Sequence, residues 1–303
     1  MQKFKEAVCF DDVLLVPQAS NIDSRTEIDL TSNIGGMSFR LPIISSPMDT
    51  VSEVDMVNAM NELGGLGIAH RYNTIEDQAS IFSQVPGRKA AAIGVSSDFM
   101  DRAVTLYKSG VRMLCVDVAH GHHSMVKEAL KSLRAEFGDT LYLMAGNVAT
   151  PEAFYDLSQW GADAIRVGIG GGSICSTRIQ TGHGVPTLQS VLDCASVDTE
   201  AKLIADGGIK TAGDIVKCLA AGADFVMLGS MLAGTDQSPG QVFTSAEGKR
   251  YKVYRGMASP EAQIAWRGNA RSLEGVSTTI SYKGCVTSIL EKLERNIKSG
   301  LSY

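Results

Sequence analysis

Eight short apolar runs recur along the chain, each followed by a polar turn and then an amphipathic stretch. They occupy positions 41–48, 65–70, 89–95, 113–120, 141–148, 164–169, 202–209 and 225–231. The runs are rich in Ile, Val, Leu and Ala and lack period-two alternation, as expected of strands covered on both faces. Segments 98–109, 124–137 and 151–161 read as the intervening helices. Thr150-Pro151-Glu152 and Thr211-Ala212-Gly213-Asp214 read as helix starts. Gly-Ala-Asp stands at 161–163 and again at 222–224, each time just before a strand. A repeated helix–Gly-Ala-Asp–strand unit predicts an α/β fold of eight similar βα modules, a TIM barrel. The competing doubly wound sheet usually has fewer strands and a dinucleotide fingerprint after the first. Here the first run leads instead to Ser46-Pro47-Met48-Asp49-Thr50.

Two parts fall outside the eight modules. Residues 1–40 form a lead-in containing Phe10-Asp11-Asp12-Val13-Leu14-Leu15-Val16-Pro17, and residues 233–283 form a long, polar, Gly-rich insertion before a final helix near 285–299. A loop of that length is usually functional, most often a lid. No linker divides the 303 residues, so a single domain is expected. With 44% hydrophobic residues the chain has ample material for a core, and its net charge of −5 supplies no basic field for nucleic acid. No apolar run reaches membrane-span length, and the first residues lack a signal-peptide core. The six cysteines are scattered without CxxC pairs, which fits reduced thiols and a cytoplasmic location.

Residues 170–178 read Gly-Gly-Gly-Ser-Ile-Cys-Ser-Thr-Arg. Alone, this is a Gly-rich turn with an inert Cys175; with a lowered pKa, the thiol becomes a nucleophile. Barrel active sites lie at the C-terminal ends of the strands, which is where this loop falls. Gly207 and Gly208 after the seventh strand, and Gly229 and Ser230 after the eighth, suit a phosphate. Asp206 is placed to accept hydrogen bonds from ribose hydroxyls, with a base pointing toward Cys175. His120, His122 and His123 beside Asp117 invite a metal reading. Successive side chains diverge in such a segment, so a polar loop facing a cofactor or a neighbouring chain is the better expectation.

The motifs Phe10–Pro17, Pro47-Met-Asp-Thr-Val51, Gly64-Gly-Leu-Gly-Ile68, Gly146-Asn-Val148, Gly170-x-Gly-Ser-x-Cys-x-Thr-Arg178, Asp206-Gly-Gly208 and Tyr254-Arg-Gly-Met257 occur in this order. Together they resemble the IMP dehydrogenase/GMP reductase family over nearly the whole chain. The resemblance implies a (β/α)8 barrel, a purine nucleoside monophosphate (GMP or IMP), a nicotinamide cofactor and a covalent bond between Cys175 and purine C2. It implies a proton relay through Thr177 and Glu274. Substrate contacts are implied at Ser46, Met48, Asn147, Ser173, Asp206, Gly207, Gly208, Gly229 and Ser230, and in the insertion at Tyr254, Gly256, Met257, Ala258, Arg271 and Gly275. NADPH is implied at Arg71, Asp117, Val118, Ala119, Ile169 and Gly170, and at Ser299, Gly300, Leu301 and Ser302. Ser24 and Arg25 resemble a segment that reaches the cofactor of an adjacent subunit, so a homo-oligomer, a tetramer, is expected. A monovalent cation, K+, is implied at Gly170, Gly172, Cys175 and Arg178.

The branch within the family turns on the insertion. Dehydrogenases usually carry a pair of CBS domains after the second strand, and 70–90 leaves no room for them, although some dehydrogenases lack them too. Dehydrogenases also carry an Arg-Tyr pair in the flap that activates water. Residues 258–274 contain no such pair, and Arg271-x-x-Glu274-Gly275 is similar to the reductases, as is His70-Arg71. The expected activity is NADPH-dependent reductive deamination of GMP to IMP and ammonia. The alternatives are NAD-dependent oxidation of IMP and a non-catalytic purine-nucleotide sensor. Gly171 stands where the family commonly has proline, which predicts a more mobile loop before ligand binds. Ser176 stands in place of threonine. Tyr303 ends the chain short of the tail that helps complete the cation site in dehydrogenases.

Overall fold

The computed structural model describes residues 6–96, 98–270 and 274–303. The chain opens with an extended lead-in and a hairpin, β1 (Ser32–Ile34) and β2 (Met37–Phe39). Gly35 and Gly36 join the two strands with φ of 53° and 75°, the left-handed values that a two-residue hairpin turn demands. Eight parallel strands follow: β3 (Ile43–Ser45), β4 (Leu66–Ala69), β5 (Ala90–Ile93), β6 (Met113–Asp117), β7 (Tyr142–Val148), β8 (Ala164–Val167), β9 (Lys202–Asp206) and β10 (Phe225–Leu228). They hydrogen-bond in chain order, and β10 closes onto β3 to form the barrel. Each strand lies within one of the eight apolar runs and is shorter than it; in all but β7, which runs to Val148, the last residues of the run turn into a loop.

Helices cover the outside: α1 (Val54–Glu62), α2 (Ile75–Ile81), α3 (Phe99–Lys108), α4 (Ser124–Phe137), α5 (Pro151–Gln159), α6 (Thr177–Thr181), α7 (Thr187–Cys194) and α8 (Ala212–Ala220). The two helix starts read from sequence are present. The Thr150 hydroxyl accepts from Ala153 N–H ahead of Pro151, and Thr211 with Asp214 forms a capping box. The repeated Gly-Ala-Asp has a common structural cause. Asp163 accepts the Leu143 N–H at 2.7 Å, and Asp224 accepts the Leu203 N–H at 2.8 Å. Each aspartate therefore pins the start of its strand to the strand before it.

The barrel interior is apolar for most of its height. Inward residues such as Ile44, Leu66, Ile68, Met113, Met144 and Ile204 pack in layers, and Ile34 and Phe39 of the hairpin plug the lower end. Phe39 meets Phe225 edge-on, with ring centroids 5.8 Å apart. The 233–283 insertion is an ordered substructure. Strands β11 (Phe243–Thr244), β12 (Arg250–Arg255) and β13 (Ser277–Ser281) form an antiparallel sheet, and α9 (Pro260–Arg267) lies within it. The last helix, α10 (Val286–Leu301), buries Val286, Leu290, Leu293 and Ile297, a single stripe at helical spacing, and packs on α8. No helix among the described residues is long and apolar enough to cross a membrane.

The plug dominates closure of the lower end, since Phe39 is completely buried. Phe39→Ala is expected to lower the unfolding free energy by about 3–5 kcal/mol. Urea unfolding followed by circular dichroism checks this, with activity per folded molecule unchanged because the plug lies at the end opposite the loops after the strands.

Candidate active site

The loops after the strands surround a cavity of about 440 Å³ at the upper end of the barrel. Three devices shape it. The first is a charged layer inside the barrel. Arg166 on β8 points inward, donating from Nη1 to Asp117 Oδ1 at 2.5 Å and from Nη2 to Asp206 Oδ2 at 2.8 Å. Asn147 Nδ2 donates to that same Asp206 oxygen at 2.9 Å, so Oδ2 is held by the protein. Asp117 is completed by the Tyr72 hydroxyl at 3.4 Å and by Arg71 at 3.6 Å. Burial alone would raise the Asp117 carboxyl, but Arg166 and Arg71 outweigh it and hold the pKa below the ordinary carboxylate value. Burial likewise opposes the charge of Arg71, and Tyr72 and Asp117 outweigh it.

The second device joins the insertion to the barrel. Arg255 at the end of β12 donates from Nε and Nη2 to Asp49 Oδ2 at 3.0 and 2.6 Å, and its N–H reaches Thr50 Oγ1. One ion pair thus ties Pro47-Met-Asp-Thr-Val51 to Tyr254-Arg-Gly-Met257. Tyr254 is carried beneath the loop after β10, where it is buried and bonded to Ser173. Burial pushes its phenol up to about 12, against the Ser173 hydrogen bond. A Cβ on Gly229 would lie 3.0 Å from the Tyr254 hydroxyl, so only glycine leaves that wall open. From the other side, Trp266 of α9 packs edge-on against Tyr72 at 5.3 Å.

The third device is the loop that carries Cys175. Cys175 is half-buried at the start of α6, and its thiol donates to Thr177 Oγ1 at 3.3 Å. Thr177 Oγ1 donates in turn to Glu274 Oε2 at 3.0 Å, across 97 residues of sequence. The alignment is held by backbone. Ser176 N–H bonds to Glu274 O at 3.0 Å and Val276 N–H to Ile174 O at 3.1 Å, an isolated antiparallel bridge between Cys175 and Gly275. At Gly171 a side chain would collide with the Thr187 hydroxyl and approach the backbone of Gly207. The missing proline therefore has a local steric reason.

All the substrate residues named from sequence line this cavity except Arg271, which lies outside the described residues. Cys175, Thr177 and Glu274 line it as well, as do the implied cofactor residues Arg71, Asp117, Val118, Ala119, Ile169 and Gly170. Ser24 and Arg25 begin a short turn packed on α10, whose end carries Ser299, Gly300, Leu301 and Ser302; none of these lines the cavity of its own chain. Gly170 and Gly172 line the cavity, while Arg178 lies on the exposed side of α6. The histidines disperse: His122 pairs with Asp156 at 2.8 Å and His123 caps α4. Among the described residues no three His, Cys, Asp or Glu side chains gather as metal ligands. Sequence reasoning missed Arg166, Tyr72 and Trp266. For Arg166 a signal existed, a charged residue inside an otherwise apolar strand.

A barrel with these motifs on its upper loops has known counterparts. Residues 7–303 match the family model of the IMP dehydrogenase/GMP reductase domain. The chain belongs to this family of oxidoreductases. It is 36% identical to the GMP reductase of Lactobacillus gasseri, over 98% of this chain and 90% of that one. It is 33% identical to the inosine-5′-monophosphate dehydrogenase of Nitrosopumilus maritimus, covering 99% and 93%, and 30% identical to the GMP reductase of Leishmania major, covering 98% and 91%. The last two alignments run to 443 and 448 positions against 303 residues here. Both relatives therefore hold sequence this chain lacks, and the missing insertion does not separate the two activities. A cysteine-to-alanine variant of the GMP reductase of Trypanosoma brucei, solved in complex with guanosine 5′-monophosphate, superposes with a TM-score of 0.93 at 28% identity, covering 99% and 92%.

Replacing Arg166 by Met strands two buried carboxylates and is expected to cost about 3–5 kcal/mol. The loss should depend on pH. In the native protein the depressed pKa of Asp117 contributes stability above the unfolded value and is lost as pH falls through the folded one. Without Arg166, burial pushes that carboxyl upward, so charging it on folding becomes costly. The deficit is expected to be largest at neutral pH and to shrink on acidification, as read by urea unfolding of both proteins across a pH series.

Proposed function

We propose that the chain catalyses reductive deamination of GMP to IMP and ammonia with NADPH. The observation that carries this reading is the Cys175–Thr177–Glu274 hydrogen-bond chain, which joins the loop after β8 to a flap whose sequence 258–274 offers no Arg-Tyr pair. A dehydrogenase must make hydroxide at C2. A reductase needs a proton for departing ammonia and no competing water.

In this reading the Cys175 thiol proton moves through Thr177 Oγ1 to Glu274 as sulfur attacks C2. Glu274 then returns a proton by the same path to the exocyclic amine, which leaves as ammonia. Asp206 Oδ1 is the oxygen left for the ribose, because Oδ2 is committed to Arg166 and Asn147. Gly208, Gly229, Ser230, Ser173 and Tyr254 take the 5′-phosphate. Trp266 closing on Tyr72 excludes water from the base.

The neighbouring part of the cavity suits a nicotinamide carboxamide. Asn147 Oδ1 is buried without a hydrogen-bond partner and offers an acceptor, and Arg71, whose Nε makes only a long 3.6 Å contact with Asp117, lines the same cavity. When bound, NADPH supplies the hydride that reaches C2 and releases the thiolate. Arg71, Asp117, Val118, Ala119, Ile169 and Gly170 hold it. A monovalent cation such as K+ also fits the Gly170–Gly172–Cys175 turn: the Gly172 carbonyl accepts Cys175 N–H and keeps a second lone pair. Ser24, Arg25 and the end of α10 serve the cofactor of an adjacent subunit in a tetramer.

GMP with NADPH is expected to consume the reduced cofactor and yield IMP and ammonia, while IMP with NAD gives little turnover. Robust XMP formation from IMP would instead make the chain a dehydrogenase. Cys175→Ala should lower kcat on the order of a thousandfold or more, and Glu274→Gln about a hundredfold, with nucleotide affinity little changed. Arg25→Ala should raise the KM for NADPH and spare that for GMP. A fully active monomer, shown by sedimentation with assay, contradicts the shared cofactor site.

A further inference from the structure

The phosphate end of the cavity is lined by glycines and hydroxyls. The arginines that line the cavity lie elsewhere: Arg71 and Arg166 are committed to Asp117 and Asp206, and Arg267 rides on α9 with its guanidinium 3.9 Å above the Trp266 ring. A phosphate monoester carries close to two negative charges at neutral pH. Among the described lining residues, nothing at Gly208, Gly229, Ser230, Ser173 or Tyr254 balances that charge.

Lys283 stands directly behind this wall. Its ammonium donates to the carbonyl oxygen of Ser230 and, at 3.3 Å, to that of Met231. These residues immediately follow Gly229, so the ammonium is bonded to the loop that faces the cavity. The approach is fixed by backbone: Lys283 N–H bonds to Gly234 O at 2.9 Å, and Gly284 bridges to Thr235. Lys202, Lys249 and Lys298 each have a carboxylate partner. Among the described residues Lys283, like Lys89, Lys217 and Lys252, bonds only to backbone carbonyls, and of these four it alone bonds to a residue that lines the cavity. Its side chain also meets solvent, and desolvation against the loop pulls its ammonium down to about 8. A cation in that position is stabilised by an anion arriving on the far side of the loop. The Ser230 carbonyl and the Met231 N–H also belong to one peptide group, so an ammonium on the oxygen strengthens that N–H as a donor.

We propose that Lys283 is a positioning residue for the substrate's 5′-phosphate, bracing the Ser230–Met231 loop and supplying positive charge behind the phosphate end, where the described lining residues carry none. The inference rests on the reading of the ligand as a purine nucleoside 5′-monophosphate, and it holds for either direction of the redox chemistry.

Two variants separate charge from bracing. Lys283→Gln keeps donors for the carbonyls and removes the charge, while Lys283→Arg keeps both. GMP, IMP and guanosine are titrated calorimetrically into each protein, and kcat and KM are measured for the nucleotide that turns over. Lys283→Gln is expected to weaken GMP and IMP about tenfold, raise KM to match, and leave kcat and guanosine affinity near wild type. Lys283→Arg is expected to stay within about threefold of wild type for all ligands. Unchanged nucleotide affinity in Lys283→Gln, or equal losses for GMP and guanosine, would overturn the proposal. If the wild-type protein binds guanosine but gains nothing from the phosphate of GMP or IMP, the nucleotide reading falls and the proposal with it.

Discussion

A single guanidinium sits on the axis of this barrel and organises what lies above it. Arg166 spans Asp117 and Asp206, which arrive from strands on either side of it. Below that layer lies the apolar cluster that fills the barrel; above it begin the loops that line the cavity. Charges this deep are tolerated only when each is paired and hydrogen-bonded, and here Asn147, Tyr72 and Arg71 complete the set. The outcome is a neutral floor whose carboxylates are held at defined orientations. One oxygen of Asp206 is left for a ligand, while both oxygens of Asp117 are engaged by protein groups. Stability and site geometry therefore draw on the same bonds.

The walls depend on pairing between segments far apart in sequence. Asp49 and Arg255 are separated by 206 residues and Thr177 and Glu274 by 97. The insertion contributes Tyr254 to one wall, Trp266 to another and Glu274 to the hydrogen-bond chain that starts at Cys175. Its antiparallel sheet gives these contributions rigidity that a structureless loop of the same length would lack.

The strand runs, the helix starts and the order of the loops were legible in sequence because each is a local pattern of burial or capping. The repeated Gly-Ala-Asp was visible as a repeat, but its cause was not: Asp163 and Asp224 act on Leu143 and Leu203 about twenty residues away. The hairpin plug carried a turn signal, Gly35-Gly36 between short apolar segments, that went unread within the lead-in. Arg166 illustrates the harder limit. Its place in the run 164–169 marks it as buried and charged, yet its partners lie 49 and 40 residues away on either side. No spacing rule joins them before the barrel closes. The relay was found through family motifs; its hydrogen-bond order belongs to the fold.

The bridge between Cys175 and Gly275 consists of two backbone hydrogen bonds, and Glu274 sits beside it. The Glu274 carboxylate that bonds Thr177 is thus mounted on the insertion, and the Cys175 thiol on a barrel loop. Breaking those two bonds would also separate donor from acceptor between Thr177 and Glu274. The hydrogen-bond chain from thiol to carboxylate is therefore a property of the docked insertion and not of the cysteine loop alone.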